Sequence, residues 1–159
     1  MVRLGYDRFV AQGGDWGSLI TTLIGAQDLG HCAGIHINMP VAFPSPDDLG
    51  DLTEEEIGFL GRLQAYRAQE AGYSTQQSTR PQTLGDGLAD FSAGAPTVSI
   101  PAGVSQFKNE IFAASRRWAD GVYTDIRHWN QLDRGGHFAA FEEPDLFVDE
   151  VRASFRHAR

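Results

Sequence analysis

The sequence predicts an α/β protein with a mostly parallel sheet of about four strands and helices on both faces. Three observations predict this class. Short strand-like apolar segments alternate with stretches whose apolar residues recur at helical spacing. A length of 159 residues suits one domain with its own hydrophobic core. The composition is that of a globular protein, since 42% of the residues are apolar and no low-complexity run is present.

The amino-terminal half predicts two strands and two helices. Residues 8–12 form a short strand that enters a glycine turn, and residues 18–27 carry apolar side chains at helical spacing. Residues 34–39 alternate isoleucine with polar residues, as a second strand does. A helix over 54–69 begins after the N-cap Thr53, with Glu56 in the capping-box position.

The carboxyl-terminal half continues the alternation. We expect a third strand over 97–101, a helix over 109–119 and a fourth strand over 126–132. A last helix over 144–157 has one apolar face that can pack on a sheet.

Charge and cysteine content exclude several classes of partner. The net charge is -8 and no basic stripe is present, so we expect neither nucleic-acid binding nor binding to anionic membranes. No apolar run reaches membrane-spanning length, which predicts a soluble protein. The single Cys32 excludes an internal disulfide, disfavours a structural zinc site and fits the cytoplasm.

Asp15 lies in the segment Gly13-Gly14-Asp15-Trp16-Gly17, which has the small-x-nucleophile-x-small form of a nucleophile elbow. Flanking glycines permit a strained turn that exposes the central side chain, and a carboxylate there can attack an electrophilic carbon to form an ester. The alternative is a turn in which Asp15 only caps the next helix. The strand before it and the helix after it favour the nucleophile.

His137 follows Gly135-Gly136 after the fourth predicted strand. An isolated histidine is more often structural than functional, but loops at strand ends are where functional residues concentrate. The other four histidines show neither ligand spacing nor a comparable setting, and we expect surface or structural roles for them: His31, His36, His128 and His157.

These segments resemble the microsomal-type epoxide hydrolases of the α/β-hydrolase superfamily. The family pattern Q-G-G-D-W-G is matched by residues 12–17, and R-G-G-H-F-A-A-x-E-E-P by residues 134–144. Residues 77–85 resemble the family stretch Q-S-T-K/R-P-x-T-x-G, and Tyr73 falls where the family has one of two epoxide-activating tyrosines. Glu110 matches the acid of F-P-x-E, although lysine replaces the proline.

The resemblance implies an epoxide hydrolase with no cofactor that converts a small hydrophobic epoxide and water to a vicinal diol. Asp15 would open the epoxide and form an ester, while Tyr73 hydrogen-bonds or protonates the epoxide oxygen. His137, oriented by Glu110, would activate the water that hydrolyses the ester. The backbone N–H of Trp16 would hold one side of the oxyanion.

The sequence also departs from the family pattern. The H-G-x-P loop that carries the second oxyanion donor is absent, and residues 87–94 begin like the family cap but lead directly towards the third strand. The second activating tyrosine of the family belongs to the absent cap stretch, and Tyr123 lies elsewhere in the sequence and does not replace it.

We therefore expect a partial α/β-hydrolase fold and a weak hydrolase. Its segments are the nucleophile part over 1–40, a shortened cap over 41–94, and the part with acid and histidine over 95–159. The strand over 8–12 would present an open edge that favours self-association. Two alternatives remain open at this stage. One is a haloalkane dehalogenase, which shares the aspartate nucleophile and the tryptophan after it, and the other is an inactive fragment that acts as an interaction module.

Overall fold

The computed structural model describes residues 1–27, 30–69 and 96–158. The strands are β1 (Phe9–Gly13), β2 (Cys32–Ile37), β3 (Ala102–Gln106) and β4 (Ile126–Gln131). The helices are α1 (Trp16–Gln27), α2 (Glu54–Gln69), α3 (Arg116–Asp120), α4 (Ala139–Glu142) and α5 (Pro144–Ser154). Single 3-10 turns occur at Val2–Leu4, Asp48–Gly50 and Phe155–Ala158.

The strands form one parallel sheet in the order β1-β2-β3-β4, which confirms the predicted fold class. Gln12 lies opposite His36, and Val104 lies between Ile37 and Trp129 on its two neighbouring strands. Because all strands run in one direction, their carboxyl ends share one edge of the sheet. The loops that follow β1, β3 and β4 therefore emerge at the same edge, where ligands bind in open α/β sheets.

The two faces of the sheet differ in chemistry. Ile35, Ile37 and Val104 are fully buried in the main apolar core, and α1 packs on this face so closely that a methyl group added at Gly25 would lie 3.3 Å from Ile35. Side chains alternate between faces along a strand. His36 accordingly lies on the opposite face, where its ring contacts two phenylalanines of the carboxyl-terminal helical segment.

The prediction of a strand over 97–101 is wrong, because the strand is β3 at Ala102–Gln106. In the predicted range only Val98 forms an isolated bridge. Pro101 stands just before β3, where a missing N–H does no harm, and its carbonyl accepts the Ile35 N–H at 2.8 Å. The strand contains one glycine and two polar residues, Ser105 and Gln106. The polar side chains can be buried because Glu150 and the backbone of Ala114 hydrogen-bond to them.

The prediction of a helix over 109–119 is also wrong, since only Arg116–Asp120 is helical. The side chain of Gln106 binds both backbone groups of Ala114, accepting its N–H at 2.7 Å and donating to its carbonyl at 2.9 Å. These bonds hold the end of the preceding loop beside β3, and that loop contains a turn in which the Glu110 N–H donates to the Phe107 carbonyl at 3.1 Å. Ser115 then caps α3 by accepting a backbone N–H of its first turn.

The capping box at the start of α2 is confirmed. Thr53 Oγ1 accepts the Glu56 N–H at 3.2 Å, and the Glu56 carboxylate accepts the Thr53 N–H at 3.0 Å. Glu56 also binds Arg117 at 2.7 Å, which joins α2 to α3. Hydrogen bonds from Ser115, from the Thr53 N–H and from Arg117 lower the pKa of Glu56 to about 2, although burial opposes the shift.

Several sequence predictions concern the sheet edge and the region between α2 and β3. Strand β1 is an edge strand that pairs with β2 within the described residues, as predicted. Tyr73 and the segments 77–85 and 87–94 lie outside the described residues, and the segment boundaries after residues 40 and 94 stay predictions. In the part of the chain that the structure describes, no helix combines the length and hydropathy needed to cross a bilayer.

Candidate active site

Asp15 occupies a sharp turn between the end of β1 and the start of α1. Its φ of 51° lies in the left-handed region, which non-glycine residues rarely adopt and which concentrates at functional sites. A methyl group at Gly13 would overlap the Gly17 carbonyl oxygen and lie 2.5 Å from Thr21 Oγ1. The chain thus follows the strand, turn and helix geometry of a nucleophile elbow, which exposes 53% of the Asp15 side chain.

The structure refines which residues the turn requires. The unusual backbone conformation belongs to Asp15 and not to the glycines beside it. Gly13 is needed because α1 crosses close above it, whereas a methyl group at Gly17 would meet open space. Before Asp15 the turn is therefore sterically constrained at Gly13 and Gly14, whereas Gly17 after it is not.

Asn38 supports the elbow from the end of β2, and sequence reasoning did not single it out. Its N–H donates to the Gly13 carbonyl at 3.4 Å, and its Oδ1 accepts from Gln12 Nε2 at 3.1 Å. Its amide packs so closely on Gly14 that a methyl group there would approach Oδ1 to 2.5 Å. A polar residue directly after a strand of a parallel sheet is the sequence signal that could have indicated it.

Glu110 follows β3 in the loop between β3 and α3, and its carboxylate is fully buried. Oε1 accepts from the Ile111 N–H at 2.8 Å and from His137 Nδ1 at 2.7 Å. Oε2 has no hydrogen-bond partner among the described residues. Burial raises the pKa of Glu110, and the hydrogen bonds from His137 and Ile111 oppose that rise.

His137 follows β4 in a loop that is joined to the loop of Glu110. The Asn109 N–H donates to the Gly135 carbonyl at 2.9 Å, and Asn109 and Gly136 form an isolated parallel bridge. Gly135 has φ 76°, and an added methyl group would lie 2.6 Å from the Phe107 ring. This position therefore requires glycine for its conformation and its space.

The three side chains meet at the carboxyl edge of the sheet. His137 Nδ1 binds Glu110 at 2.7 Å, and Nε2 lies 3.8 Å from Asp15 Oδ1. Because an ionised carboxylate can only accept, Nδ1 carries a proton, and Nε2 is the ring nitrogen that faces Asp15. At 3.8 Å, Asp15 is not held by a direct hydrogen bond, and one water can bridge such a gap. The arrangement can combine a free carboxylate nucleophile with an oriented base.

The other predicted site residues are placed as follows. Trp16 is the first residue of α1, where a backbone N–H has no partner within the helix and is available to an anion. Tyr73 lies outside the described residues. Phe138 packs edge-on against the His137 ring at 5.0 Å and is itself 66% exposed, so it gives the site an apolar wall.

Two clefts of about 480 and 470 Å³ in the described residues lie away from the three side chains, one near Phe9 and Cys32 at the opposite ends of the strands and one near Val41 and Trp118. Among residues 1–27, 30–69 and 96–158, no group of three or more acidic, histidine or cysteine side chains is arranged to hold a metal ion.

Comparisons with known sequences identify relatives along the whole chain, although no family model matches it. A Stigmatella aurantiaca protein named as an epoxide hydrolase is 35% identical over 216 residues, which cover all of this chain and 49% of that protein. Epoxide hydrolase 1 of Sus scrofa is 24% identical, with 96% of this chain and 52% of the relative covered. The chain therefore spans about half the length of these curated relatives.

Solved structures share the fold. The juvenile hormone epoxide hydrolase of the silkworm Bombyx mori superimposes on the whole chain with a TM-score of 0.83 and 21% identity, over 57% of its own length. The Aspergillus niger epoxide hydrolase gives a TM-score of 0.81 and 20% identity, over 55% of its length.

These neighbours have the α/β-hydrolase fold, and the sequence relatives include epoxide hydrolases of the microsomal and juvenile hormone types. The chain has the α/β-hydrolase fold and is similar to epoxide hydrolases over about half of their length.

Proposed function

We propose that this chain hydrolyses epoxides to vicinal diols through an ester on Asp15. The observation that carries the proposal is the position of His137, which binds the buried Glu110 at 2.7 Å and turns its free nitrogen towards Asp15 at 3.8 Å. In this proposal Asp15, Glu110 and His137 are the catalytic residues, and Trp16 supplies an oxyanion donor.

The first step is attack on the epoxide. A carboxylate oxygen of Asp15 forms a bond to one ring carbon, and the bond from that carbon to the epoxide oxygen breaks. The oxygen takes up a proton, for which Tyr73 is the proposed donor. Asp15 suits this role because its side chain is exposed and is not engaged by a direct hydrogen bond to His137.

The second step is hydrolysis of the ester. His137 Nε2 takes a proton from water while the water oxygen attacks the Asp15 carbonyl carbon, and the Trp16 N–H stabilises the oxyanion. The diol leaves with the proton from His137, and the carboxylic acid left on Asp15 returns its proton to the Tyr73 phenolate, which restores the Asp15 carboxylate and the Tyr73 hydroxyl. Glu110 stabilises the imidazolium that forms between these transfers, because its carboxylate accepts from Nδ1.

The substrate class follows from the wall of the site. The exposed Phe138 ring beside His137 favours a hydrophobic epoxide. The proposal includes self-association, in which a second copy pairs with the edge of β1 that has no partner strand among the described residues. A cytoplasmic location and the absence of nucleic-acid partners stay predictions from composition.

Intact-mass spectrometry after mixing with a styrene-type epoxide tests the mechanism. We expect His137→Ala to accumulate an adduct with the mass of the epoxide, because the ester forms but its hydrolysis loses the base. We expect Asp15→Ala to form none. Asp47→Ala is the matched control, because Asp47 lies in an exposed loop and its side chain makes no capping hydrogen bond.

The outcomes separate the candidates. Diol release by the parent chain and an adduct on the His137→Ala variant support the proposal. If the chain releases chloride from a chlorinated alkane and does not turn over the epoxide, the result would favour a haloalkane dehalogenase over the proposed epoxide hydrolase. The proposed mechanism would be contradicted if neither the parent chain nor the His137→Ala variant is modified by the epoxide.

A further inference from the structure

The face of the sheet beneath α5 is polar. His36 on β2, Ser105 on β3, and His128 and Asn130 on β4 lie on this face, and the first two are completely buried. An apolar helix placed over them would leave their polar atoms without partners, which is costly. The helix must therefore supply a polar group at this point.

Glu150 is that group. Its carboxylate is buried between α5 and the sheet and accepts three hydrogen bonds, from Ser105 Oγ at 2.6 Å, from His128 Nε2 at 2.7 Å and from Asn130 Nδ2 at 2.9 Å. One side chain of the helix thus holds two neighbouring strands, β3 and β4.

The directions of these hydrogen bonds follow from the chemistry of the groups. The carboxylate can only accept, so the Ser105 hydroxyl donates its one proton to Glu150 and must accept from His36 Nε2 at 3.0 Å. Burial lowers the pKa of His36 to about 4, so this ring is neutral. Burial works to raise the pKa of Glu150, but the three hydrogen bonds outweigh it and keep the pKa below its ordinary value.

A second reaction centre does not fit this cluster. Ser105 donates to the carboxylate and not to a histidine, and it is completely buried, so it is not an activated nucleophile. The cluster is also not arranged to hold a metal ion. Its geometry is that of a hydrogen-bond network that fixes elements relative to one another, in which His36 Nδ1 alone of the His36, Ser105 and Glu150 polar atoms has no partner among the described residues.

The fixed elements are those that present the reacting groups. Glu110 follows Ser105 at the end of β3, and His137 follows Asn130 at the end of β4. One turn before Glu150 on α5, Phe147 stacks on Phe107 at 6.3 Å. The Phe107 ring in turn packs against Gly135 in the loop of His137. The helix held by Glu150 therefore supports both loops from behind.

We propose that Glu150 is a positioning residue, which sets the hydrogen bond between Glu110 and His137 by holding α5 against β3 and β4. Its effect on turnover rests on the proposed function, but its effect on that hydrogen bond does not. A displacement of about 1 Å in a reacting group can reduce turnover about a hundredfold. We expect Glu150→Ala to lower kcat by about that factor and to leave KM nearly unchanged.

The test reads the His137 Nδ1 proton directly. In the full chain with 15N-labelled histidine, a proton hydrogen-bonded to a buried carboxylate gives a downfield resonance, which is assigned by its loss in His137→Ala. We expect Glu150→Ala to broaden or abolish it. Asp149→Ala is the matched control, because Asp149 is an exposed neighbour on the same helix, and it should leave the resonance unchanged. Circular dichroism verifies that each variant folds.

Each outcome decides the proposal. A folded Glu150→Ala variant without the resonance supports it, whereas an unchanged resonance would overturn it and leave Glu150 a role in stability alone. If Glu150→Ala does not fold, Asn130→Ala removes one donor from a half-buried position and the same criterion applies to it. If the parent forms neither ester nor diol, the proposed function fails while the resonance still decides the role of Glu150.

Discussion

Neutralising Glu110 should slow ester hydrolysis without weakening the fold. Both hydrogen bonds to its carboxylate converge on Oε1, from Ile111 at 2.8 Å and His137 at 2.7 Å, while Oε2 has no partner among the described residues. In Glu110→Gln the amide oxygen can take the Oε1 position and preserve the His137 tautomer. The loss is then that of a charge-assisted hydrogen bond, about 1.5–3 kcal/mol. This corresponds to about 10- to 150-fold slower decay of the Asp15 ester.

Glu110→Ala provides the comparison. It leaves the Ile111 N–H and His137 Nδ1 without their acceptor, which costs about 1–3 kcal/mol for a buried donor. Intact-mass kinetics of ester decay and urea unfolding measure the two effects. We expect the glutamine variant to match or exceed the parent in free energy of unfolding, and the alanine variant to fall below it.

The pH dependence has a definite sign. Because burial raises the pKa of Glu110, ionising this group disfavours the folded state as pH rises through the carboxyl range. The stability advantage of Glu110→Gln over the parent should therefore be larger at pH 7 than in acid. A glutamine variant as unstable as the alanine variant, or one whose ester decays at the parent rate, would refute this reasoning.

Three further predictions concern the fold around the site. Gly13→Ala should form no Asp15 adduct and should not reproduce the cooperative unfolding transition of the parent, because its methyl group overlaps the Gly17 carbonyl. Gly17→Ala should fold normally, as measured by circular dichroism. The pKa of Glu56 is about 2, so the parent should lose stability relative to Glu56→Gln as pH falls from about 4.5 towards 2 in acid unfolding. The pKa of His36 is about 4 in the folded chain, so as pH falls the unfolded chain takes up the proton first. The free energy of unfolding of the parent should therefore decrease between pH 6.5 and 4, and it should decrease less in His36→Asn.

Local signals predicted much of the fold. Strand β1, helix α1 and the capping box of α2 were all indicated by side chains within a few residues of one another. The motif around Asp15 and the glycines before His137 likewise indicated turns at strand ends. Such features depend on short-range backbone conformation, which neighbouring residues largely decide.

The errors share a physical cause. Strand β3 contains Ser105 and Gln106, which are buried in the structure because Glu150 and the backbone of Ala114 bind them. No local pattern reveals these partners, so the apolar residues before Pro101 gave the stronger strand signal. The helix predicted over 109–119 failed for the same reason.

The sequence by itself determined the fold class, the order of the elements and the identities of Asp15, Glu110 and His137 as candidates. Only the tertiary structure decided their distances, the tautomer of His137, the burial of Glu110 and the network around Glu150. Hydropathy and turn propensity are properties of a residue and its neighbours along the chain. Hydrogen bonds such as the one between Ser105 and Glu150 join residues far apart in sequence, and they are fixed only when the strands and α5 pack together.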